Sequence, residues 1–374
     1  MREKFIYILT IILSIAYLWF GYGQATENLH LIKDKKQEIK RVQVTEITKQ
    51  TEKEFKGGGG NKKQVKIYFT ASNLDNESEL LNVIQESSPM FGMKMRNVQV
   101  GDQILVAKEQ PKSSNWIFIE YIRSKALLIL AGIFTLLLIL FGGKKGISTI
   151  IALVFTCGAI FAIYIPAILS GLNIYKWTFI TSIFIIITTL LLVNGANKKS
   201  LAAAIGCIGG IILAAILSVF MDKVLYLTGY VDEHSIYLAN WNREVPLDLQ
   251  AIIFGAIIIG AVGAIMDVAV DIAASLSELA RKVEKISFSS LFQSGINIGR
   301  DIIGTMSNTL ILAYIGSSLS VVLLITAYNG GNFLLLFNRE MIAVEIAQAL
   351  VGSIGILFTI PLTAAISAFL YRHK

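Results

Sequence analysis

The chain has 374 residues, of which 54% are hydrophobic and only 16% charged, and 33 Lys and Arg against 26 Asp and Glu leave a net charge of +7. A mean hydropathy of +0.64 excludes an ordinary soluble globular chain and reads as an integral membrane protein. His30, His234 and His373 are scattered without ligand spacing, and Cys157 and Cys207 both fall in apolar stretches, so neither a zinc site nor an extracellular disulfide is expected.

Eight stretches are long and apolar enough for a bilayer crossing, which takes about 20 helical residues: 5–22, 125–141, 147–169, 174–193, 201–221, 249–271, 301–327 and 342–371. The first follows Arg2 and Lys4 and ends in "GYGQA". It reads either as an uncleaved anchor, the favoured reading, or as a signal peptide cut after Ala25. Either way the segment after it is translocated. Residues 26–123 turn polar and lysine-rich, and "RVQVTEITKQ", "KQVKIYFTAS", "VGDQILVAKE" and "NWIFIEYIR" alternate or run β-branched and aromatic, with Gly-Asp at a turn. A small, barrel-like β domain is expected there. "KGGGGNKK" reads as a strand connector, because a phosphate-cradling loop would need a helix opening on Lys-Ser/Thr. The lysines read either as a solvated β surface or as a patch for an anionic polymer.

With the N-terminus inside, the short inner loops carry Lys144, Lys145, Lys198, Lys199, Arg281, Lys282, Lys285 and Arg300, and the tail carries Arg372 and Lys374. Outer loops are poorer in cations: Lys223 and Arg243 are outnumbered by Asp222, Asp232, Glu233, Glu244 and Asp248. Cationic residues stay on the cytoplasmic side, so both termini are expected inside and residues 26–123 outside.

Three carboxylates, Asp267, Asp271 and Glu278, interrupt the end of the sixth span. At about 100° per residue, Ala256, Gly260, Gly263, Asp271, Ala274 and Glu278 all lie within about 40° of Asp267. The upper, small part of this stripe would let another helix approach at Gly260 and Gly263, and the lower part is acidic. The opposite face, Ile253, Ile258, Ile265 and Ile272, suits lipid or apolar packing. In the seventh span Asp301, Thr305 and Asn308 stack at similar steps, at a depth where they could face Asp267, with Arg300 as its nearest counter-charge. Glu345 shares a face with Gln348 and Gly352 in the last span. A second reading stays open for Asp271, Glu278, Arg300 and Asp301 as interfacial helix-end residues, for Asn308 as an interhelical hydrogen bond, and for Glu345 as an interfacial glutamate.

The blocks "GAIMDVAVDIAASLSEL", "NIGRDIIGTMSNTLILAYIGSSL", "NKKSLAAAIGCIGG" and "REMIAVEIAQALVGSIGILFTIPLTA" resemble the YibE/F-like bacterial membrane proteins, and with their spacing they cover most of residues 125–374. The resemblance implies an N-terminal anchor, an outward strand-rich domain and a multi-helix membrane domain, and carries no particular activity with it. Asp267, Glu278, Arg300, Asp301, Asn308 and Glu345 match positions of that family pattern, whereas Asp271 stands where the pattern more often has Ser.

The expected fold is therefore an α-helical polytopic membrane protein of about eight transmembrane helices, with an anchor at 1–25, an extracytoplasmic β-rich domain at 26–123 and a seven-helix domain at 124–374. The expected function is a proton- or cation-coupled transporter or permease of a bacterial cell membrane. Its candidate pathway residues are Asp267, Asp301, Arg300, Asn308, Thr305, Glu278 and Glu345. The alternative is an envelope factor that binds a protein or anionic polymer through its β domain. No nucleophile elbow or dinucleotide fingerprint appears, and neither Asp267 nor Asp301 stands in the Tyr-Asp or Gly-x-Gly-Asp context of intramembrane aspartyl proteases. No enzymatic activity, cofactor, metal or nucleic-acid partner is expected.

Overall fold

Period-two alternation organises the polar region near the N-terminus, and long uninterrupted apolar runs organise the rest. The computed structural model describes residues 2–29, 38–57, 60–87, 96–108, 115–240, 246–283, 285–328 and 332–372. The chain divides into two units, Leu31–Leu137 and Met1–His30 with Leu138–Lys374.

In the first unit β1 (Ile39–Gly57), β2 (Gly60–Asn73), β3 (Asn76–Ser87), β4 (Gln103–Lys108) and β5 (Trp116–Tyr121) close a barrel in the order β1-β2-β3-β5-β4. The β3–β5 pair is parallel and the other pairs are antiparallel. Closure is made where β1 pairs with β4 over Ile39–Gln43 and β3 with β5 at Val83 and Ile84. Alternate residues such as Val42, Val44, Ile67, Phe69, Ile104 and Val106 fill the interior. The glycine run connects β1 to β2, with Gly57 opposite Gly60. Gly101 turns the chain at φ 93°, the left-handed region that glycine enters without cost, and the Asp102 carboxylate accepts from Gln99 N at 2.9 Å. The strand pattern did not announce β3, whose "NESELLNVIQES" is mostly polar although Leu81 and Val83 alternate into the core.

The barrel lysines at Trp116 are engaged. Lys40 Nζ and Lys108 Nζ lie 5.0 and 5.5 Å from the centre of its ring, with Lys40 paired to Glu79 at 2.5 Å and Lys108 to Glu38 at 2.9 Å. The hydrogen bond from Lys40, then that from Asn73, holds the Glu79 carboxyl below its ordinary range, and Glu79 in turn raises the Lys40 ammonium.

The second unit is helical. Six helices among the described residues are long and apolar enough to cross a membrane, which suggests membrane association. Seven of the eight expected stretches fall within these six helices, two of them in one run. α1 (Arg2–Thr26) stands alone, whereas α2 (Ser124–Gly158), the π-helical Ala159–Tyr164 and α3 (Ile165–Leu169) run on as one 46-residue helical stretch. That stretch contains two expected spans, 125–141 and 147–169. At about 1.5 Å per residue it would be roughly 70 Å long if straight, about twice the hydrocarbon thickness. It is not straight. Gly143 breaks it at φ 53°, ψ −128°, and a Cβ on Gly146 would meet the Leu138 carbonyl oxygen at 2.0 Å. Residues eight apart in a straight helix are about 12 Å apart, so the chain bends sharply here.

α4 (Ile174–Asn194), α5 (Lys198–Val224), the short α6 (Glu233–Ala239) and α7 (Leu249–Lys282) follow. Asn173, Asn197, Asp232 and Asp248 cap them by accepting from backbone N–H groups of the first turn. The expected span 301–327 is the one that is corrected. Its residues divide between α8 (Phe288–Ser317) and α9 (Leu319–Tyr328), separated at Ser318, and neither is among the long apolar helices. The polar residues Arg300, Asp301, Thr305, Asn308 and Thr309 all fall on α8, so the apolar character is concentrated after the break. α10 (Phe333–Phe337) and α11 (Glu340–Tyr371) complete the chain. The core lies where α5, α7, α8 and α11 pack together. α1 joins α4: Tyr17 stacks on Phe184 at 4.0 Å and Ser14 bonds Thr188 at 3.3 Å.

Candidate functional site

α7 begins where Asp248 accepts from Ala251 N at 3.0 Å and runs 34 residues, well past the expected end at 271. Asp267 lies about 27 Å along it from Leu249, and Glu278 more than 40 Å, against a hydrocarbon thickness of about 30 Å. If Leu249 marks one edge, Asp267 sits near the other and Glu278 beyond it. Glu278 has the partners of a solvated residue, Arg281 one turn on and Lys282 at 3.7 Å.

The stripe read from the sequence exists, but its surroundings differ from the expectation. Ile258, Ile265 and Ile272 are fully buried and Ile253 nearly so, so of the two readings left open for this face, lipid or apolar packing, it takes the second. Asp267, Asp271, Gly260, Gly263 and Ala256 are exposed. Among the described residues no neighbour lies within 4 Å of a Cβ placed on Gly263, so no described helix packs closely there. Close approach is confined to Gly260, whose Cβ would meet the Tyr314 hydroxyl at 2.6 Å and Gln348 Nε2 at 3.5 Å. Gln348 also donates to the Ala256 carbonyl at 3.3 Å. Half-buried Glu345 lies one turn before Gln348 on α11, so α7, α8 and α11 share a polar crossing.

α8 turns its polar face away from the bundle. Gly299 packs on Ile360 and Leu310 on Gly352. Asp301 and Asn308 each lie two residues from one of these positions, which rotates them about 160° from it. Both are exposed, as is Thr305, whose hydroxyl donates to the Ile302 carbonyl at 3.0 Å. The expected meeting of Asp267 with Asp301 is therefore not formed. Arg300 lies only about 40° round the helix from Tyr314 and shares the side nearer α7. Among the described residues no ion pair joins it to Asp267, and that expected pairing is also corrected.

The packing specificity missed in the sequence sits in α5. A Cβ on Gly206 would fall 1.9 Å from Thr363 Oγ1, and one on Gly210 would fall 1.9 Å from Thr359 Oγ1. Two glycines four apart thus let α5 lie against two threonines four apart on α11. The signal was legible as "GCIGG", a small-xxx-small pattern, inside a block quoted for another reason.

Residues 130–373 match the family model described as YibE/F-like protein. The chain belongs to the YibE/F-like family. No curated protein and no solved structure matches it. The YibE/F-like match contains the acidic stripe of α7, all of α8 and the α5–α11 seam, and leaves the barrel outside it. No group of three or more His, Cys, Asp and Glu suited to a metal ion occurs among the described residues. Among the described residues of the YibE/F-like region, Asp267 and Asp271 stand exposed on α7 without an ion pair, whereas Glu278 is paired.

Proposed function

We propose that this YibE/F-like chain is a non-enzymatic, proton- or cation-coupled transporter or permease of a bacterial cell membrane. Both termini would be cytoplasmic, with the barrel outside and α1 retained as an anchor. The observation that carries the reading is Asp267: a carboxylate without a counter-charge, on the open stripe of a long apolar helix and beside Gly263, where no neighbour fills the space. Such a group is costly to keep charged next to hydrocarbon and gains or loses a proton as its hydration changes. Arg300, on the side of α8 nearer α7, supplies a cation that moves towards or away from Asp267 when α8 shifts. Asp301, Thr305 and Asn308 form the polar outer face of that moving helix, and Glu345 belongs to the crossing with Tyr314 and Gln348.

Reconstituted full-length protein should dissipate an imposed proton or sodium gradient in liposomes, and Asp267→Asn, which keeps the shape but removes the titratable proton, should reduce that flux at least about tenfold. Equal flux from both proteins removes Asp267 from the pathway.

The barrel favours a second reading, an envelope factor. It closes five strands in the order β1-β2-β3-β5-β4, and five-stranded barrels include ones that bind oligonucleotides and oligosaccharides. Fold alone does not assign a ligand. Retention of full-length protein on an immobilised anionic wall polymer, without any flux in liposomes, would support this reading over transport.

A further inference from the structure

Two carboxylates, Asp248 and Glu340, lie within electrostatic reach of Asp222, where α5 ends and α7 and α11 begin. Both are engaged. Asp248 caps α7, and Glu340 accepts from Thr228 N at 2.7 Å and from Gly229 N and Thr228 Oγ1 at 2.8 Å. Asp222 differs from both. Its Oδ1 is shielded from solvent and has no hydrogen-bond partner.

Asp222 lines a small, largely enclosed pocket together with Tyr175, Ser218, Gln250 and Phe254. The space suits about one water-sized occupant. Gln250 is held by donating from Nε2 to the Leu227 carbonyl at 2.5 Å, which leaves its Oε1 as the free acceptor. Ser218 is buried on α5 one turn before Asp222. The pocket thus offers one carboxylate and three neutral oxygens in an otherwise apolar wall. The last turn of α5 adds the partial negative charge of a helix C-terminus beside Asp222.

We infer that this pocket binds a small monovalent cation, with Asp222 supplying the charge and Gln250, Ser218 and Tyr175 supplying neutral oxygen donors. Hard oxygens select alkali or alkaline-earth ions over transition metals. A divalent ion needs more carboxylates or a larger hydrated shell than a one-water pocket admits. Lys223 is within electrostatic reach of Asp222, but a carboxylate oxygen shut away from solvent without a hydrogen bond, as Oδ1 is, is unfavourable, and a cation of matching size removes that penalty. The pocket lies about 25 Å along α7 from Asp267, and its occupancy does not depend on whether the chain transports.

The test is thermal unfolding of the purified full-length protein in detergent, with NaCl titrated against choline chloride at constant ionic strength. Sodium should raise Tm saturably and choline should not. Asp222→Asn should abolish the sodium-dependent rise, and Gln250→Ala should increase the half-saturating concentration about tenfold. Absence of a sodium-specific rise in the unmodified protein, as expected if only water or a proton occupies the site, overturns the inference. So does an undiminished rise in Asp222→Asn. If Asp222→Asn does not fold, Gln250→Ala and Ser218→Ala decide: an unchanged half-saturating concentration in both overturns it, and an increase in either sustains it. Loss of liposome flux as a property of the protein would leave this result untouched, so the two proposals fail separately.

Discussion

Replacing Gly206 by Ala should destabilise the bundle although alanine is the better helix former. The added Cβ falls 1.9 Å from Thr363 Oγ1, 3.0 Å from Thr363 Cβ and 3.3 Å from Thr363 Cα. Ordinary contact needs more than about 3.5 Å, so α5 and α11 must separate by more than an ångström or Thr363 must turn within a buried site. Overpacking of this kind costs about 1–3 kcal/mol, against roughly 1 kcal/mol gained in helix propensity. A net loss of up to about 2 kcal/mol follows. Thr363 itself identifies the source, because its hydroxyl is buried without a hydrogen-bond partner. Thr363→Ala alone should therefore change stability little, while Gly206→Ala with Thr363→Ala should recover most of the loss, a coupling of up to about 2 kcal/mol. Gly263→Ala is the internal control: its Cβ meets nothing within 4 Å, so stability should hold or rise slightly. Reversible unfolding in mixed micelles, monitored by helical circular dichroism, gives all four values. The reasoning is refuted if Gly206→Ala is no worse than Gly263→Ala, or if Thr363→Ala fails to rescue it.

Because Asp267 has no ion-pair partner among the described residues, Asp267→Asn should leave unfolding stability within about 0.5 kcal/mol, and combining it with Arg300→Gln should be additive to the same margin; a larger coupling in the same assay would reveal a charge pair. Barrel stability should decline as pH falls below about 4.5, the ordinary glutamate value, through the lowered value of Glu79. The lowered carboxyl contributes only while ionised, and the raised Lys40 contributes only while protonated, so the pair acts between about 4.5 and 10.5. Glu79→Gln should flatten the acid limb when Trp116 fluorescence is followed in a variant whose other tryptophans are Phe, and an unchanged limb would assign it to other groups. For the proposed orientation, cysteines introduced at Asn61 or His234 should react with an impermeant thiol reagent on intact cells and one at Lys198 should not; labelling at Lys198 would reverse it.

The amino-acid sequence by itself determined which residues share a face, because periodicity is a property of one element. The α7 stripe from Ala256 to Glu278, the β-branched alternation of β1, β2, β4 and β5, and the turn at Gly101 were all legible on that ground. Local chemistry also marked β1 and β2 as a hairpin around the glycine run. What periodicity lacks is a neighbour. The isoleucines opposite Asp267 are equally suited to lipid and to core, and only α5 and α11, brought from 40 to 100 residues away, made them core. Likewise Asp267 and Asp301 were at compatible depths, but the azimuth of α8 is set by Gly299 on Ile360 and Leu310 on Gly352, which turns Asp301 outward. The same holds for the bend at Gly143, which a hydropathy run shows only as a gap, and for Asp222, which in sequence is one of five acids in a loop region. Two of its neighbours are consumed by a helix cap and by backbone N–H groups that arrive from other elements, and this leaves Asp222 as the carboxylate in the pocket. Faces are local and their environments are not, since the latter depend on contacts between segments far apart in the chain.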